Sequence, residues 1–474
     1  FGLRGVQAML ENSKDTLVDI FFGVPSSVPS TNSELETTGG EISQAELQVL
    51  LQQPQVICLG EIMNYVDVIY KDHSKTLDFI NYTREKYPYL AIEGHCPRIK
   101  GNEIGKMLYA GVMSDHTQQS AEGIVERFLQ GMFVELQSKS LKPEIIEQVR
   151  QYKMYEQIAL VTDDIMADEF VEKGQLDKNL RKLIQLGLTP EQAIYIASYT
   201  PARYLGMRDR GAIAAGRWAD FFLTDDPRTL PVEACYKNGR RIYDAATEFV
   251  FVPEQEPFAA EFRSSVQRKP ITAEDLTIKV TEEAQKALCN VLETVPDATF
   301  TKALQAEFPV QNGVLAWENS PYALLVCLER YGRGTPPSFA LVKGVCPNKG
   351  ALATTYAHDH HNIMVIGKNI GDMVLAVNRV IELQGAYCAV LDGEFLACVH
   401  LPIGGILSPL PMHELALQIA GLKQAFVELG YLHKNPLMSL GTLSLPVSPE
   451  LKLTDKGLIM VKTQAVVPLI VKLD

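Results

Sequence analysis

The stretch 89–95 (YLAIEGH) is a run of apolar, β-favouring residues that ends in a histidine. The stretch 111–116 (GVMSDH) has the same pattern about twenty residues later. Histidines at the ends of two neighbouring strands reach the same region only if the strands are parallel and adjacent. In barrel enzymes the carboxyl ends of parallel strands form the mouth where the chemistry takes place. His95 and His116 are therefore predicted to share one site.

Two further stretches extend the pattern in both directions along the chain. Residues 55–61 (QVICLGE) end in Glu61, and 157–163 (QIALVTD) end in Asp163. A single polar residue at a strand end is usually a cap or a turn residue. Because four strands in succession end in this way, the sequence predicts one shared site at the mouth of a curved parallel sheet.

The residues between these stretches support the same architecture. Helical periodicity separates the strand candidates, which is typical of βαβ crossovers and a parallel sheet. The chain contains no G-x-G-x-x-G, so a barrel is favoured over a dinucleotide-binding sheet. The strand candidates are 17–22, 55–60, 89–93, 111–114, 131–136 and 157–162. The helix candidates are 45–53, 74–86, 102–109, 120–129, 143–152, 176–186 and 190–198.

Past the last of these helices the composition changes. A Glu- and Pro-rich stretch indicates a linker, and the remainder predicts an α+β domain with strands near 337–343, 363–366, 387–391 and 395–400. The predicted divisions are a barrel at 1–205, a small β segment at 206–250, a linker at 251–270 and a C-terminal domain at 271–474.

Composition excludes some classes of function. The formal net charge of −13 argues against binding to nucleic-acid phosphates, which requires clustered Lys and Arg. No apolar run approaches the ~20 residues that span a bilayer, so no membrane association is expected. The eight cysteines form no C-x-x-C pair and are expected to be buried free thiols, which favours a cytoplasmic protein.

The four strand-end residues predict the chemistry of the site. Carboxylate and imidazole ligands suit Zn²⁺, Mn²⁺ or Fe²⁺. A divalent ion held by such ligands lowers the pKa of bound water, and a neighbouring carboxylate can transfer the proton to a leaving group. Hydrolysis of a C–N or C–O bond is the expected reaction, and a bridging Glu61 would suit a centre with two metal ions.

The same motifs carry a family resemblance over essentially all 474 residues. In content and order they closely resemble adenine deaminase, a member of the amidohydrolase superfamily, and general amidohydrolases lack the last domain. The motifs are 24–31 (VPSSVPST), 59–65 (LGEIMNY), 93–97 (EGHCP), 114–116 (SDH), 162–164 (TDD), 201–203 (PAR), 210–220 (RGAIAAGRWAD), 357–362 (AHDHHN), 401–405 (LPIGG) and 445–457 (LPVSPELKLTDKG).

The resemblance implies a fold and an activity. It implies an α/β fold, a (β/α)8-type amidohydrolase barrel with a small β segment and a C-terminal α+β domain. It implies hydrolysis of the small molecule adenine to hypoxanthine and ammonia. Two metal ions are expected in the complete protein, with Mn or Fe favoured over Zn, and the site is expected to be incomplete in this span. A homodimer is also expected.

The resemblance also assigns roles by position. Glu61 would be the bridging ligand and a catalytic residue, and His95 and His116 would be metal ligands. Asp163 would contact metal and move the proton from water to the purine. Met63, Asn64 and Asp164 would border the substrate pocket.

Two departures from the family pattern are evident. The first barrel strand of the family carries His-x-His, and that strand and the second would precede position 1. The chain is therefore expected to be N-terminally incomplete, in agreement with six βα units where a closed barrel needs eight. Thr117 stands where the family usually has Glu.

Three alternatives remain open. His358-Asp359-His360 is itself a His-x-His, but its position in the last domain favours a polar loop or an inter-domain contact over a replacement for the missing pair. A contribution of the C-terminal domain to the site through His358, Asp359 and His361 is the other possibility. The enzyme could instead act on another aminopurine or a cyclic amide, as Thr117 suggests. The chain could also be an inactive truncated homologue that binds without catalysis.

Overall fold

The computed structural model describes residues 1–14, 16–247, 258–281 and 283–474. The chain divides into two compact units. We call 3–27 with 42–257 the barrel unit, and 1–2, 28–41 and 258–474 the C-terminal unit. The part of the predicted linker at 251–257 lies outside the described residues. Within the described ranges, no helix is both long enough and apolar enough to span a bilayer.

The barrel unit contains a row of six parallel strands that follow one another in chain order. Its strands are β1 (Phe22–Val24), β2 (Val56–Ile62), β3 (Ala91–Gly94), β4 (Ser114–Asp115), β5 (Phe133–Leu136) and β6 (Ile158–Leu160). Strands β1 to β3 pair in parallel, as do β4 to β6. The two groups are joined where the Met113 amide donates to the Ile92 carbonyl at 2.9 Å.

The helices of the barrel unit begin where the sequence offers a cap. They are α1 (Gly2–Asn12), α2 (Gln44–Leu50), α3 (Tyr65–Tyr70), α4 (Lys75–Lys86), α5 (Asn102–Ala110), α6 (Ala121–Gln130), α7 (Pro143–Tyr152), α8 (Ala167–Lys173), α9 (Leu176–Gln185) and α10 (Pro190–Tyr204). Ser43 and Thr189 form capping boxes at the starts of α2 and α10. Because these helices alternate with parallel strands, the predicted α/β barrel-type architecture is confirmed.

Apolar faces of the helices cover one side of the row. Ile124 of α6, Ile145 and Val149 of α7 and Leu183 of α9 form one buried cluster with Val134 of β5. Burying such side chains is the main favourable term in folding. A separate antiparallel sheet follows, made of β7 (Phe221–Leu223), β8 (Ala234–Lys237) and β9 (Arg240–Asp244).

The C-terminal unit is built on a large mixed sheet. Its strands are β10 (Lys286–Thr294), β11 (Thr301–Gln311), β12 (Val314–Leu315), β13 (Ala323–Leu328), β14 (Ser338–Lys343), β15 (Ala351–Thr354), β16 (Ile363–Gly367), β17 (Ala386–Leu391), β18 (Glu394–His400), β19 (Leu451–Thr454), β20 (Gly457–Met460), β21 (Ala465–Val467) and β22 (Ile470–Leu473). The large sheet has the order β12-β11-β10-β14-β13-β16-β15-β17-β18, with β22 also pairing with β10, while β19 to β21 form a small sheet.

Three helices complete this unit: α11 (Ile370–Glu382), α12 (Met412–Glu428) and α13 (Pro436–Gly441). Met373, Ala376 and Val380 of α11 are buried in the same core as the central strands. The expectation of free thiols is wrong for one pair: Cys388 and Cys398 lie opposite each other on β17 and β18 and form a disulfide. Cross-strand pairing of β17 with β18, which the sequence pattern did not specify, brings them together.

Segment 28–41 is part of the C-terminal unit although it follows β1 in the chain. The Thr37 amide donates to Oδ1 of Asp455 at 2.8 Å, and the Thr37 hydroxyl donates to Oδ2 at 2.6 Å. Nδ2 of Asn362 donates to the Thr37 carbonyl at 3.0 Å. Leu35 is buried and its carbonyl accepts from the Thr454 hydroxyl. The segment is thus fixed on both sides by residues of the last third of the chain.

Candidate metal centre

Glu61, His95 and His116 meet at the carboxyl ends of β2, β3 and β4. Oε2 of Glu61 lies 2.8 Å from Nε2 of His116 and 3.4 Å from Nδ1 of His95. The two imidazole nitrogens are 3.2 Å apart. Each residue offers one ligand atom, and these atoms all lie within 4.8 Å of one another. The side chains therefore converge on one point.

The position of Glu61 depends on an irregularity in β2. The register of β2 against β3 shifts between Leu59 and Ile62, and such a bulge re-aims the side chains next to it. A Cβ atom on Gly60 would stand 2.7 Å from Cβ of Glu93, so only glycine lets the two strands approach here. The Ser26 hydroxyl donates to the Glu61 carbonyl at 2.5 Å and fixes the backbone on the other side.

The two histidines directly follow β3 and β4, and these strands pack very closely. A Cβ atom on Gly94 would stand 2.3 Å from the carbonyl oxygen of Ser114. The Gly94 amide donates to the Ser114 hydroxyl at 3.2 Å. Nε2 of Gln137 donates to the His116 carbonyl at 2.8 Å, which holds that residue from the side of β5. The close approach of β3 and β4 brings the two rings together.

The charges at this point favour an ionised Glu61 next to a protonated or metal-bound His116. Burial acts to raise the pKa of Glu61, but His95 and His116 overcome it and hold the pKa well below its usual range. Burial acts to lower the pKa of His116, yet Glu61, Asp163 and Glu135 raise it to about 10. A group of this kind binds a cation, either a proton or a metal ion.

The three ligand atoms fit a divalent transition metal. Metal bonds of about 2.0–2.2 Å from histidine and carboxylate place neighbouring ligand atoms about 3 Å apart. The separations of 2.8–3.4 Å among Glu61, His95 and His116 match this spacing. One oxygen and two nitrogens are ligands of borderline hardness, which suit Mn, Fe and Zn ions.

Asp163 lies near this group without belonging to it. Its negative charge acts to raise the pKa of His116. No carboxylate oxygen of Asp163 joins the described group of ligand atoms within 4.8 Å of one another. Asp163 has a positive φ of 59°, and its side chain accepts a hydrogen bond from the amide of Asp164 at 2.8 Å. Both aspartates are exposed on the loop after β6.

Met63 and Asn64 follow β2 directly, and both are buried. Met63 is part of the core, and Asn64 is 3% exposed. The side-chain oxygen of Asn64 accepts from the Asp67 amide at 3.2 Å and so caps α3. Their predicted contact with substrate stays a prediction.

The 357–362 motif belongs to the C-terminal unit, where it forms a turn between β15 and β16. His358, Asp359 and His360 are therefore not on a strand, and Nδ1 of His358 lies 3.5 Å from Oδ1 of Asp359. Burial and neighbouring positive charges lower the pKa of His361 well below its usual range. The proposed part of these residues in the site stays a prediction.

Two carboxylates near the site were missed by the sequence analysis. Glu93 lies on β3 and Glu135 lies on β5. Oε2 of Glu135 is 4.0 Å from Nδ1 of His116. Burial raises the pKa of both carboxyl groups, and the charge of Glu93 raises the pKa of Glu135 further. A charged residue within an apolar strand was the available signal, at Ile92-Glu93-Gly94 and Val134-Glu135-Leu136.

Thr117 is turned away from the ligand atoms. Its amide donates to Oδ1 of Asp115 at 2.9 Å, and its hydroxyl donates to Oδ2 at 3.0 Å. The residue is buried. At this position the chain therefore has a backbone-fixing threonine, where the resemblance predicts a carboxylate.

Comparison with known protein families gives a match for each of the two parts of the chain. A model described as the amidohydrolase family matches residues 2–258, and one described as the adenine deaminase C-terminal domain matches residues 298–465. The second match covers most of the large mixed sheet of the C-terminal unit. The order of the two matches is that of the motifs quoted from the sequence.

Curated relatives match over almost the whole chain. Adenine deaminase of Clostridium perfringens (strain ATCC 13124) is 43% identical over 99% of this chain and 82% of its own. Adenine deaminase 2 of Shouchella clausii is 42% identical over the same shares, and adenine deaminase of Lysinibacillus sphaericus is 33% identical over 98% and 79%. The chain therefore belongs to the amidohydrolase family and, within it, to the adenine deaminases.

Proposed function

We propose that this protein hydrolyses adenine to hypoxanthine and ammonia. The observation that carries the proposal is the convergence of Glu61, His95 and His116 at the ends of three adjacent parallel strands. Water adds at C6 of the purine, the exocyclic amino group leaves with one proton from water, and ammonia and the C6 oxygen product result. The names of the relatives, all adenine deaminases, support adenine as the substrate.

Each residue has a role in this proposal. Glu61, His95 and His116 would hold a divalent metal ion, with Glu61 as bridging ligand if two ions bind. Such an ion lowers the pKa of a bound water and thereby supplies the nucleophile near neutral pH. Asp163 would accept the proton from water and donate it to the purine, since its carboxylate is exposed on the loop after β6 and its charge acts on His116. Asp164, Met63 and Asn64 would border the substrate.

Further features belong to the same proposal. Mn or Fe is favoured over Zn, as the family resemblance implies, with two ions in the centre. We propose a homodimer in the cytoplasm. We also keep the division into a barrel at 1–205, a small β segment at 206–250, a linker at 251–270 and a C-terminal domain at 271–474 as proposed domain boundaries.

The second candidate is hydrolysis of another aminopurine or a cyclic amide. Thr117 favours it, because its hydroxyl and amide are both committed to Asp115 and it offers no carboxylate to a purine. An inactive homologue is the third possibility, which the same assay addresses.

The test is product formation by the chain loaded with Mn²⁺ or Fe²⁺. Hypoxanthine and ammonia are measured from adenine, and a panel of other aminopurines and cyclic amides is run beside it. We expect conversion of adenine by the wild-type protein and its loss in His95→Asn and His116→Asn. His73→Asn, an exposed histidine of the same unit, is the matched control. Preference for another compound would reject adenine as substrate, and metal binding without any turnover would reject the enzyme.

A further inference from the structure

An ion pair is completely buried beside the two histidines. Nε of Arg127, on α6, donates to Oδ2 of Asp115, on β4, at 2.6 Å. The Asp115 side chain is 0% exposed and that of Arg127 4%. A buried ion pair is poor evidence for a stabilising role, because desolvation of the two charges offsets their attraction. The presence of this ion pair therefore calls for a reason other than stability.

The hydrogen bonds of this pair reach the backbone next to His95. The Cys96 amide donates to Oδ1 of Asp115 at 3.1 Å. Nη2 of Arg127 donates to the Cys96 carbonyl at 2.9 Å. Both polar backbone groups of the residue after His95 are therefore fixed by the ion pair.

The pair also holds the backbone next to His116. Asp115 precedes His116, and its carboxylate accepts from the amide and hydroxyl of Thr117 at 2.9 and 3.0 Å. Nε2 of Gln119 donates to the same carboxylate at 3.0 Å and to the Thr117 carbonyl at 2.8 Å. The residues on both sides of His116 thus belong to one buried network with Cys96.

We propose that Asp115 and Arg127 are positioning residues that set the distance between His95 and His116. Residues 95–100 and 116–119, which carry these histidines, share no backbone–backbone hydrogen bond among the described residues. Before them, the Met113 amide donates to the Ile92 carbonyl at 2.9 Å and the Gly94 amide donates to the Ser114 hydroxyl at 3.2 Å. The ion pair supplies the missing link, because a planar guanidinium can reach Asp115 and the Cys96 carbonyl at the same time. The 3.2 Å separation of the imidazole nitrogens follows from it.

This inference rests on the proposed function, since a fixed separation of the histidines matters only if both bind one ion. A site of this kind tolerates displacements of only about 0.5 Å in its ligands. Partners that orient metal ligands typically contribute about 10–100-fold to metal affinity. Loss of the link is therefore expected to weaken metal binding while both histidines remain present.

The test compares three variants of the full chain. Arg127→Met removes the charge, the hydrogen bonds to Asp115 and Cys96, and the bond from Nη1 to the Gly123 carbonyl within α6. Arg127→Lys keeps the charge but cannot bond to Asp115 and Cys96 together. Arg84→Met is the matched control, because Arg84 also donates to backbone carbonyls, those of Tyr109 and Ala110, on the outer helices. Mn²⁺ affinity is measured by titration, and the visible spectrum of the Co²⁺ form is recorded at saturation.

We expect Mn²⁺ to bind about 10–100-fold more weakly to Arg127→Met and with an intermediate loss to Arg127→Lys, with unchanged affinity for Arg84→Met. A changed Co²⁺ spectrum at saturation reports ligand geometry, which lower stability alone does not alter. If Arg127→Met does not fold, Arg127→Lys decides. Wild-type affinity and spectrum in the folded variants would overturn the inference alone, whereas absence of binding in the wild-type chain would overturn the proposed function with it.

Discussion

Glycine at position 94 permits the arrangement that places two histidines at one point. Its hydrogen atom faces the Ser114 carbonyl and Cγ1 of Val112, where a Cβ atom would stand at 2.3 and 2.5 Å. Backbone oxygen cannot move aside as a flexible side chain can. The close packing of β3 on β4, and with it the position of His95 beside His116, depends on this absence of a side chain.

Gly94→Ala should therefore destabilise the protein and separate the histidines. Overpacking of this kind costs about 1–3 kcal/mol, which denaturant unfolding measures, and Mn²⁺ affinity should fall as well. Gly105→Ala is the control, since its Cβ atom would meet nothing nearer than 3.6 Å and alanine favours the helix. Unchanged stability and metal affinity in Gly94→Ala would show that β3 and β4 can accommodate a Cβ atom at this position.

Thr117→Val tests the contribution of one hydroxyl to the site. The change removes the donor to Oδ2 of Asp115 at nearly constant shape and should lower the free energy of unfolding by about 1 kcal/mol. Thr76→Val is matched to it, because the buried Thr76 hydroxyl donates to Asp67 at the same distance of 3.0 Å. We expect similar losses of stability but weaker Mn²⁺ binding only in Thr117→Val. Equal metal affinities would mean that Thr117 serves the fold alone.

At the scale of single residues, the sequence predicted those site residues that lie at the ends of strands. Glu61, His95 and His116 could be grouped because each comes directly after, or at the end of, a run that could only be a strand. The Asp115–Arg127 pair could not be predicted, since its partners come from one strand and one helix whose packing no local pattern specifies. The burial of Glu36, a carboxyl group of segment 28–41, could not be predicted either, because it is evident only in the folded C-terminal unit.

At the scale of the element, segment 28–41 contains an unusual carboxyl group. Glu36 is 1% exposed, and its Oε1 accepts from the amide and hydroxyl of Thr31 and the hydroxyl of Ser30. Its other oxygen is buried and has no hydrogen-bond partner among the residues that the structure describes. Burial, together with the charge of Asp359, raises the pKa of Glu36 from 4.5 to about 7, against the effect of its hydrogen bonds.

Glu36 should make the protein less stable as the pH rises. A raised pKa in the folded state means that the folded chain binds the proton more tightly, so the contribution is complete below about pH 4.5 and is lost as the pH rises through about 7. The shift corresponds to about 3 kcal/mol. Glu36→Gln keeps the shape without the proton, so its stability relative to wild type should increase by about this amount between pH 5 and pH 8.

The control for this experiment is Glu34→Gln, which changes an exposed carboxyl group two residues away. Denaturant unfolding of all three proteins is measured across the pH range. Parallel pH profiles for wild type and Glu36→Gln would show that this carboxyl does not titrate near neutrality.

The elements themselves were predicted unevenly. In the barrel unit, hydrophobic runs located most of the predicted strands and helices to within a few residues. The first strand is β1 at Phe22–Val24 rather than at 17–22. In the C-terminal unit, β10 escaped prediction, because 283–294 (EAQKALCNVLET) is rich in residues that favour helices. Its pairing with β11, β14 and β22 overrides that preference.

At the scale of the whole molecule, the C-terminal unit is not continuous in sequence. Residues 258–474 supply its sheet, but segment 28–41 supplies the partners of Asp455 and Asn362. A carboxylate as deeply buried as Asp455 is costly to deprive of the two donors that Thr37 supplies. The fragment 258–474 alone should therefore be less stable than the same residues in the full chain.

A synthetic peptide of residues 28–41 should restore that stability in trans. Fragment 258–474 contains one tryptophan, the buried Trp317, whose fluorescence reports unfolding. We expect the denaturant midpoint to increase with peptide concentration, as for any ligand of the folded state. A peptide with Thr37→Val, which lacks one donor to Asp455, should act more weakly. No effect of either peptide would mean that the fragment is complete without the segment.

The embedded segment has a consequence for synthesis on the ribosome. Thr37 leaves the exit tunnel 418 residues before Asp455. At about 5–20 residues per second, this interval is about 20–80 s. During this interval Thr37 and Leu35 lack their hydrogen-bond partners Asp455 and Thr454, so the nascent chain carries this segment unpaired until those residues have been synthesised. Chaperones that bind nascent chains would therefore be expected to stay bound to this segment for a long time.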